Sequence, residues 1–233
     1  MAVKAKANGS HRASDRLADL AGGPAGGDAP QAVVIPRLQI LRLRLPIRGI
    51  TPLIMCRFDE KVRAEMEAKT EGKAKNKKAP KDPEAEWNAA RWVSTEGWDG
   101  IHAGGIRAAL IDAVRSVDGL TMTAVKQAVF VRADGRAEDG TPLVRIHGTA
   151  ERFSNMCRTT TGVAYPRHRP IYKEWACVLQ VEVNEHIPSL DAAVNLVSIA
   201  GFTCGLGEWR PTSPKSRTGD NGRFEIDMDA LQS

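Results

Sequence analysis

Residues 38–48 read LQILRLRLPIR, with apolar and basic side chains in alternation. Leu41, Leu43, Leu45 and Ile47 fall on one side, and Arg42, Arg44 and Arg48 on the other. A period of two marks a strand with one buried and one solvated face, so the chain must build a sheet that is covered on one side only. The solvated side of that sheet is basic.

Helical periods follow. In Ala103–Val117, Ile106, Leu110, Val114 and Val117 fall on one stripe, opened by Gly104-Gly105 and closed by Asp118-Gly119. Ser189 is the expected N-cap of a second helix over Leu190–Ala200, with Asp191 in its first turn. A short charged helix is expected from Asp59 to about Lys69. Ala128–Arg132 and Leu143–Gly148 flank an Asp- and Gly-rich turn, which predicts a hairpin. Residues 174–184 alternate again, with Trp175, Cys177, Leu179, Val181 and Val183 on one face. In residues 222–229, Phe224, Ile226 and Met228 alternate with Glu225, Asp227 and Asp229. The order strand, helix, strands, helix, strand predicts an α+β, ferredoxin-like antiparallel sheet with helices on one face, plus loop and hairpin insertions.

Residues 1–32 include the run Ala21–Gly27 (AGGPAGG) and have too little apolar surface to offset their ordering entropy. They are expected to form a disordered tail, with a single domain over 33–233. A lysine-rich insertion is expected at about 69–90; its run Lys69–Lys81 has six lysines against one glutamate. Aromatic residues make up only 5% of the chain, so an aliphatic core is expected.

Cys56, Cys157, Cys177 and Cys204 form no CxxC pair, and with five scattered histidines no metal-site spacing appears. The cysteines are expected to be reduced, mostly buried thiols, with no metal bound. No run approaches the roughly 18 apolar residues of a membrane span, and a cytoplasmic setting is the expectation.

Enzymatic motifs are hard to find. Gly201–Gly207 (GFTCGLG) is not followed by the Gly-Lys-Ser/Thr of a phosphate loop. Gly205-Leu-Gly207-Glu-Trp-Arg210 lacks the third glycine of a dinucleotide fingerprint and follows a helix rather than a strand. No cofactor is expected. His102, His147 and His168 are the candidates for a general acid or base.

Basic segments are better represented. Residues 37–57 contain five arginines and no acid. Residues 158–173 contain Arg158, Arg167, His168, Arg169 and Lys173, again with no acid. Residues 201–224 hold five glycines with Arg210, Lys215, Arg217 and Arg223, against Glu208 and Asp220. If these segments converge they form a groove for a phosphate backbone, beside which Tyr165, Tyr172 and Trp209 are placed to stack on bases. Glycines such as Gly205 and Gly207 would let the main chain approach a bulky ligand. A plain corner does not need a connection of about twenty residues.

Three stretches together resemble the RAMP superfamily, in particular the guide-RNA-coating backbone subunits of CRISPR effector complexes, or a phage or plasmid relative. They are Arg48–Ile54 (RGITPLI), Ile101–Leu110 (IHAGGIRAAL) and the glycine-rich Gly201–Arg223. The resemblance implies an RNA-recognition-type core and a homo-oligomer or filament along the strand, with other effector-complex subunits as further partners. Arg107, at a helix start opened by Gly104-Gly105, is placed for a phosphate.

The sequence therefore points to non-catalytic, sequence-tolerant binding of single-stranded nucleic acid, RNA favoured over DNA, with no membrane partner. The binding residues expected are Arg42, Arg44, Arg48, Gly104, Gly105, Arg107, Arg158, Arg167, His168, Arg169, Gly205, Gly207, Trp209, Arg210, Lys215 and Arg217. A histidine-dependent endoribonuclease using His102 or His168, and an assembly protein for an acidic partner, are the alternatives.

Overall fold

The alternating segment forms β1, Ile40–Gly49, in the computed structural model. The structure describes residues 37–57, 82–158, 162–184, 187, 189–214 and 216–231. All the strands and helices below belong to one compact unit, Leu38–Ser233. The expected tail, the expected helix from Asp59 and the lysine run Lys69–Lys81 lie outside the described residues.

After β1 come β2 (Leu53–Ile54), β3 (Gly100–His102), β4 (Val129–Arg132), β5 (Gly135–Arg136), β6 (Pro142–Arg145) and β7 (His147–Gly148). The remaining strands are β8 (Glu151–Arg158), β9 (Ala164–Tyr172), β10 (Trp175–Asn184) and β11 (Phe224–Ile226). The helices are α1 (Pro83–Ala89), α2 (Ala103–Ala113), α3 (Met122–Ala128), α4 (Leu190–Ile199) and α5 (Met228–Leu231).

The main sheet runs in the order β11-β1-β10-β4, with β7 pairing the first residues of β10. Every neighbouring pair is antiparallel. Leu43, Leu45 and Ile47 of β1 and Cys177, Leu179, Val181 and Val183 of β10 are buried on one face. They join Ile106 and Leu110 of α2 and Leu196 and Val197 of α4 in one core. Full burial of Ile47 or Leu179 contributes about 2 kcal/mol each. The opposite face of the sheet is open. Leu41, expected inside, stays exposed near the free end of β1.

Caps fix the helix starts. The Ser189 hydroxyl accepts from the Ala192 N–H at 3.1 Å, as the sequence predicts for α4. α2 ends in a 3-10 turn, Val114–Ser116, and Gly119 follows with φ +83°. α4 passes into a π-helical turn, Ala200–Cys204, which carries the chain into the glycine-rich connection.

Two smaller sheets flank the main one: β2-β9-β8, in which β8 pairs with β9 along its whole length, and β3-β6-β5. The expected hairpin between Ala128–Arg132 and Leu143–Gly148 is absent. β4 pairs β10 instead, where Val129 is buried, and the Asp- and Gly-rich turn closes β5 onto β6. There the Ala137 N–H donates to the Thr141 carbonyl at 2.9 Å, and Gly140 takes φ +81°.

The strand expected over 222–229 stops at Ile226, and Pro46 supplies the reason. The Asp227 N–H donates to the Pro46 carbonyl at 2.9 Å, but proline has no N–H to return. The Asp227 carbonyl accepts from Leu231 N–H at 3.2 Å instead, and its side chain caps Asp229 and Ala230, turning the chain into α5.

Candidate nucleic-acid interface

The register of the main sheet sets the rows of its open face. Arg44 lies opposite Gln180, which lies opposite Arg132; Arg42 lies opposite Glu182, which lies opposite Phe130. These two rows carry three arginines and one glutamate. Arg42 Nε is 3.0 Å from Glu182 Oε1, and Arg132 Nε is 3.9 Å from the same oxygen. Arg48 pairs with Glu225 at 2.7 Å and Asp229 at 3.7 Å. Arg44 is exposed and has no ion pair among the described residues. Phe130 is 47% exposed.

Arg107 departs from its expected role at the helix start. Its Nε donates to the Val129 carbonyl at 2.8 Å and its Nη2 to the Lys126 carbonyl, at the corner of α3 and β4. Carbonyls at a helix C-terminus attract a cation, which accounts for the direction taken. The guanidinium then lies 4.3 Å from the Phe130 ring centroid, so this residue reaches the edge of the open sheet.

The basic segment 158–173 lies mostly in the β8/β9 hairpin. Alternation separates its side chains. Arg167 and Arg169 turn toward Cys56 and the glycine-rich loop; His168 turns the other way, its Nδ1 2.7 Å from Ser154 Oγ. Arg169 is 3% exposed, and its Nη2 lies 3.0 Å from Glu208 Oε2. Its Nη1 donates to Asn155 Oδ1 at 3.3 Å, and its guanidinium lies 5.3 Å from the Trp209 ring centroid. Arg167 Nη2 approaches Cys56 Sγ at 2.9 Å. Burial pushes the Cys56 thiol up from its ordinary value, and the Glu208 carboxylate adds to this. Arg169 ties the hairpin to the loop, and Arg167 ties it to the segment after β2.

Tyr172, expected as a stacking platform, is buried, and burial pushes its hydroxyl pKa up. Trp209, with φ +55°, packs edge-on against Phe153 at 6.0 Å. Arg158 and Arg217 are exposed; Lys215 lies outside the described residues.

Glycines of the loop allow close packing of main chain on main chain. Gly207 (φ +73°) and Gly222 (φ +69°) adopt left-handed backbone. A Cβ on Gly207 would strike the Ile54 carbonyl, and one on Gly222 the Leu206 carbonyl. Around them Glu208 N–H donates to Ile54 O, Leu206 N–H to Gly222 O and Gly222 N–H to Pro52 O, at 2.8, 2.9 and 2.8 Å. Arg210 is bound within the loop too, its Nε to Thr212 Oγ1 at 3.1 Å and its Nη1 to the Gly207 carbonyl at 3.0 Å.

The start of α2 faces this loop across a cavity of about 310 Å³, lined in part by His102, Gly105, Gly205, Gly207 and Arg210. His102 stacks on Trp92 at 5.9 Å, and Gly104 lies against the imidazole.

The basic segments thus divide. The helix start and loop share the cavity, and the hairpin joins them from behind Glu208. Arg42, Arg44 and Arg48 lie on the opposite face of the sheet. Arg132 and Phe130 belong with them but do not figure among the residues expected from sequence. The signal was present, since Val129 and Val131 alternate with them in a segment whose pattern is that of a strand.

Among the described residues, no cluster of three or more His, Cys, Asp or Glu could hold a metal. Among the same residues, no helix is long and apolar enough to cross a membrane. No family model and no curated protein matches the chain. Among solved structures it is similar to the crystal structure of Cmr6 from Pyrococcus furiosus, at 10% identity and a TM-score of 0.38, over 82% of this chain and 100% of that one.

Proposed function

We propose that the protein binds single-stranded nucleic acid, without cutting it, on the open face of the β11-β1-β10-β4 sheet. The observation that carries this reading is the row Arg44–Gln180–Arg132 across three adjacent strands, beside half-exposed Phe130. Guanidinium groups neutralise phosphates, and an aromatic face stacks on any base. Neither reads base edges, so binding at this face is sequence-tolerant. Exposed Arg158 and Arg217 are further phosphate contacts in this reading, while Arg167, Arg169 and Arg210 hold the fold. The sheet is ferredoxin-like in this account. In support, its order is that of a β-α-β-β-α-β unit formed by β1, α2, β4, β10, α4 and β11, with both helices on the buried face.

Fluorescence anisotropy with labelled oligouridine and oligodeoxythymidine tests the reading. Loss of a stacking ring costs about 1–3 kcal/mol per base, so Phe130→Ala is expected to weaken binding by that amount. Unchanged affinity of both Phe130→Ala and Arg44→Ala would reject the sheet face.

A further inference from the structure

We propose that the cavity between α2 and the glycine-rich loop binds an unpaired nucleobase that carries an exocyclic amine. Its volume of about 310 Å³ is at the small end of ligand pockets, which run from about 300 to 1,000 Å³. Gly105, Ala108 and Ala109 line it along α2, and they leave space because none extends beyond a Cβ. Met55, Ile101 and Leu206 make it apolar elsewhere.

Its charge is the reverse of what a phosphate needs. Two carboxylates, Asp112 and Glu208, line the cavity against one guanidinium, Arg210. Glu208 accepts from Arg169 through Oε2, and Asp112 Oδ1 is 3.5 Å from Arg115. Arg210 spends Nε and Nη1 on its own loop, and its Nη2 has no hydrogen bond among the described residues.

The cavity therefore offers carboxylate acceptors and the unused Nη2 amino group of Arg210 between apolar walls. That set complements a planar ring with an amine and a ring acceptor; carboxylates accept from the cytosine amine in this way. A phosphate would meet two carboxylates against a single guanidinium. The base would come from a free nucleoside or from an unpaired position of a bound strand. Only the second source rests on strand binding at the sheet face.

The test is calorimetric titration of guanosine, cytidine, adenosine and uridine into the wild type, Asp112→Asn and Ala108→Leu. Anisotropy with oligocytidine and oligouridine runs in parallel. Ala108 is exposed on α2, so leucine there fills the cavity without removing a core contact. For a free nucleoside, the amine-bearing compounds bind at least about tenfold tighter than uridine, the effect of one charged hydrogen bond. Ala108→Leu abolishes that binding and Asp112→Asn removes the preference. For a base within a strand, nucleosides fail to saturate but oligocytidine outbinds oligouridine, and the same two variants erase the difference. Nucleoside binding with no affinity for either oligomer would reject the sheet-face reading and leave this one standing. Equal behaviour of all three folded proteins toward every nucleoside and both oligomers would overturn the proposal; circular dichroism of each variant matching the wild type guards against misfolding.

Discussion

The guanidinium of Arg169 lies 3.0 Å from the carboxylate of Glu208, in a residue that is 3% exposed. Strand β9 and the glycine-rich loop meet at this contact. Deleting one partner leaves the other charge buried and unpaired, which costs more than the pair contributes relative to apolar replacements. Glu208→Ala is therefore expected to lower unfolding stability by about 3 kcal/mol. The double variant Arg169→Met/Glu208→Leu should recover most of the loss. Urea denaturation midpoints decide; a double variant as weak as the single one would contradict this.

Glycines of the loop and of α2 should respond in opposite directions. Gly222 combines φ +69° with a Cβ position that the Leu206 carbonyl already fills. Gly222→Ala should cost more than about 2 kcal/mol, because strain and overlap add. Gly105 lies in the first turn of α2, and a Cβ there meets nothing within 4 Å. Gly105→Ala should gain about 0.5 kcal/mol by helix propensity. Equal effects at the two sites would show that the loop is not packed as described.

The thiols predict a pH dependence. Burial pushes Cys177, Cys56 and Cys204 above their ordinary values. The unfolded chain then loses its thiol protons at lower pH than the folded one. Their contribution is fully present below the unfolded thiol pKa of about 8.5 and declines as pH rises through it. Thermal midpoints at rising alkaline pH should show that decline, and Cys56→Ser should reduce it. In the native state iodoacetamide should modify Cys157, which is partly exposed, before buried Cys177 and Cys204. Early labelling of Cys177 would contradict the packing of β10.

Much of the main sheet was legible, because single-sided burial writes a period of two into β1 and β10 and a helical stripe into α2. Ser189 marked α4 for the same local reason. What was not legible depended on partners distant in sequence. Phe224–Asp229 carries a strand pattern, but Pro46, far earlier in the chain, withholds the N–H that would continue it. The basic segment 158–173 forms most of a hairpin whose inward Arg169 is neutralised by Glu208, about forty residues later, a pairing that alternation cannot announce. The contacts between the loop glycines and the Ile54 and Leu206 carbonyls were not legible either, because the composition is the same whether a backbone approaches a ligand or another backbone.

The most direct test of the central claim is the salt dependence of binding to single-stranded oligonucleotides for the wild type and for Arg44→Gln/Arg132→Gln. Each phosphate contact on a single strand contributes about 0.7 to the slope of log K against log salt. The account predicts that the double variant folds normally and that its slope is shallower by about 1.4. A wild type that binds with a slope the double variant leaves unchanged would place the phosphates elsewhere and contradict it.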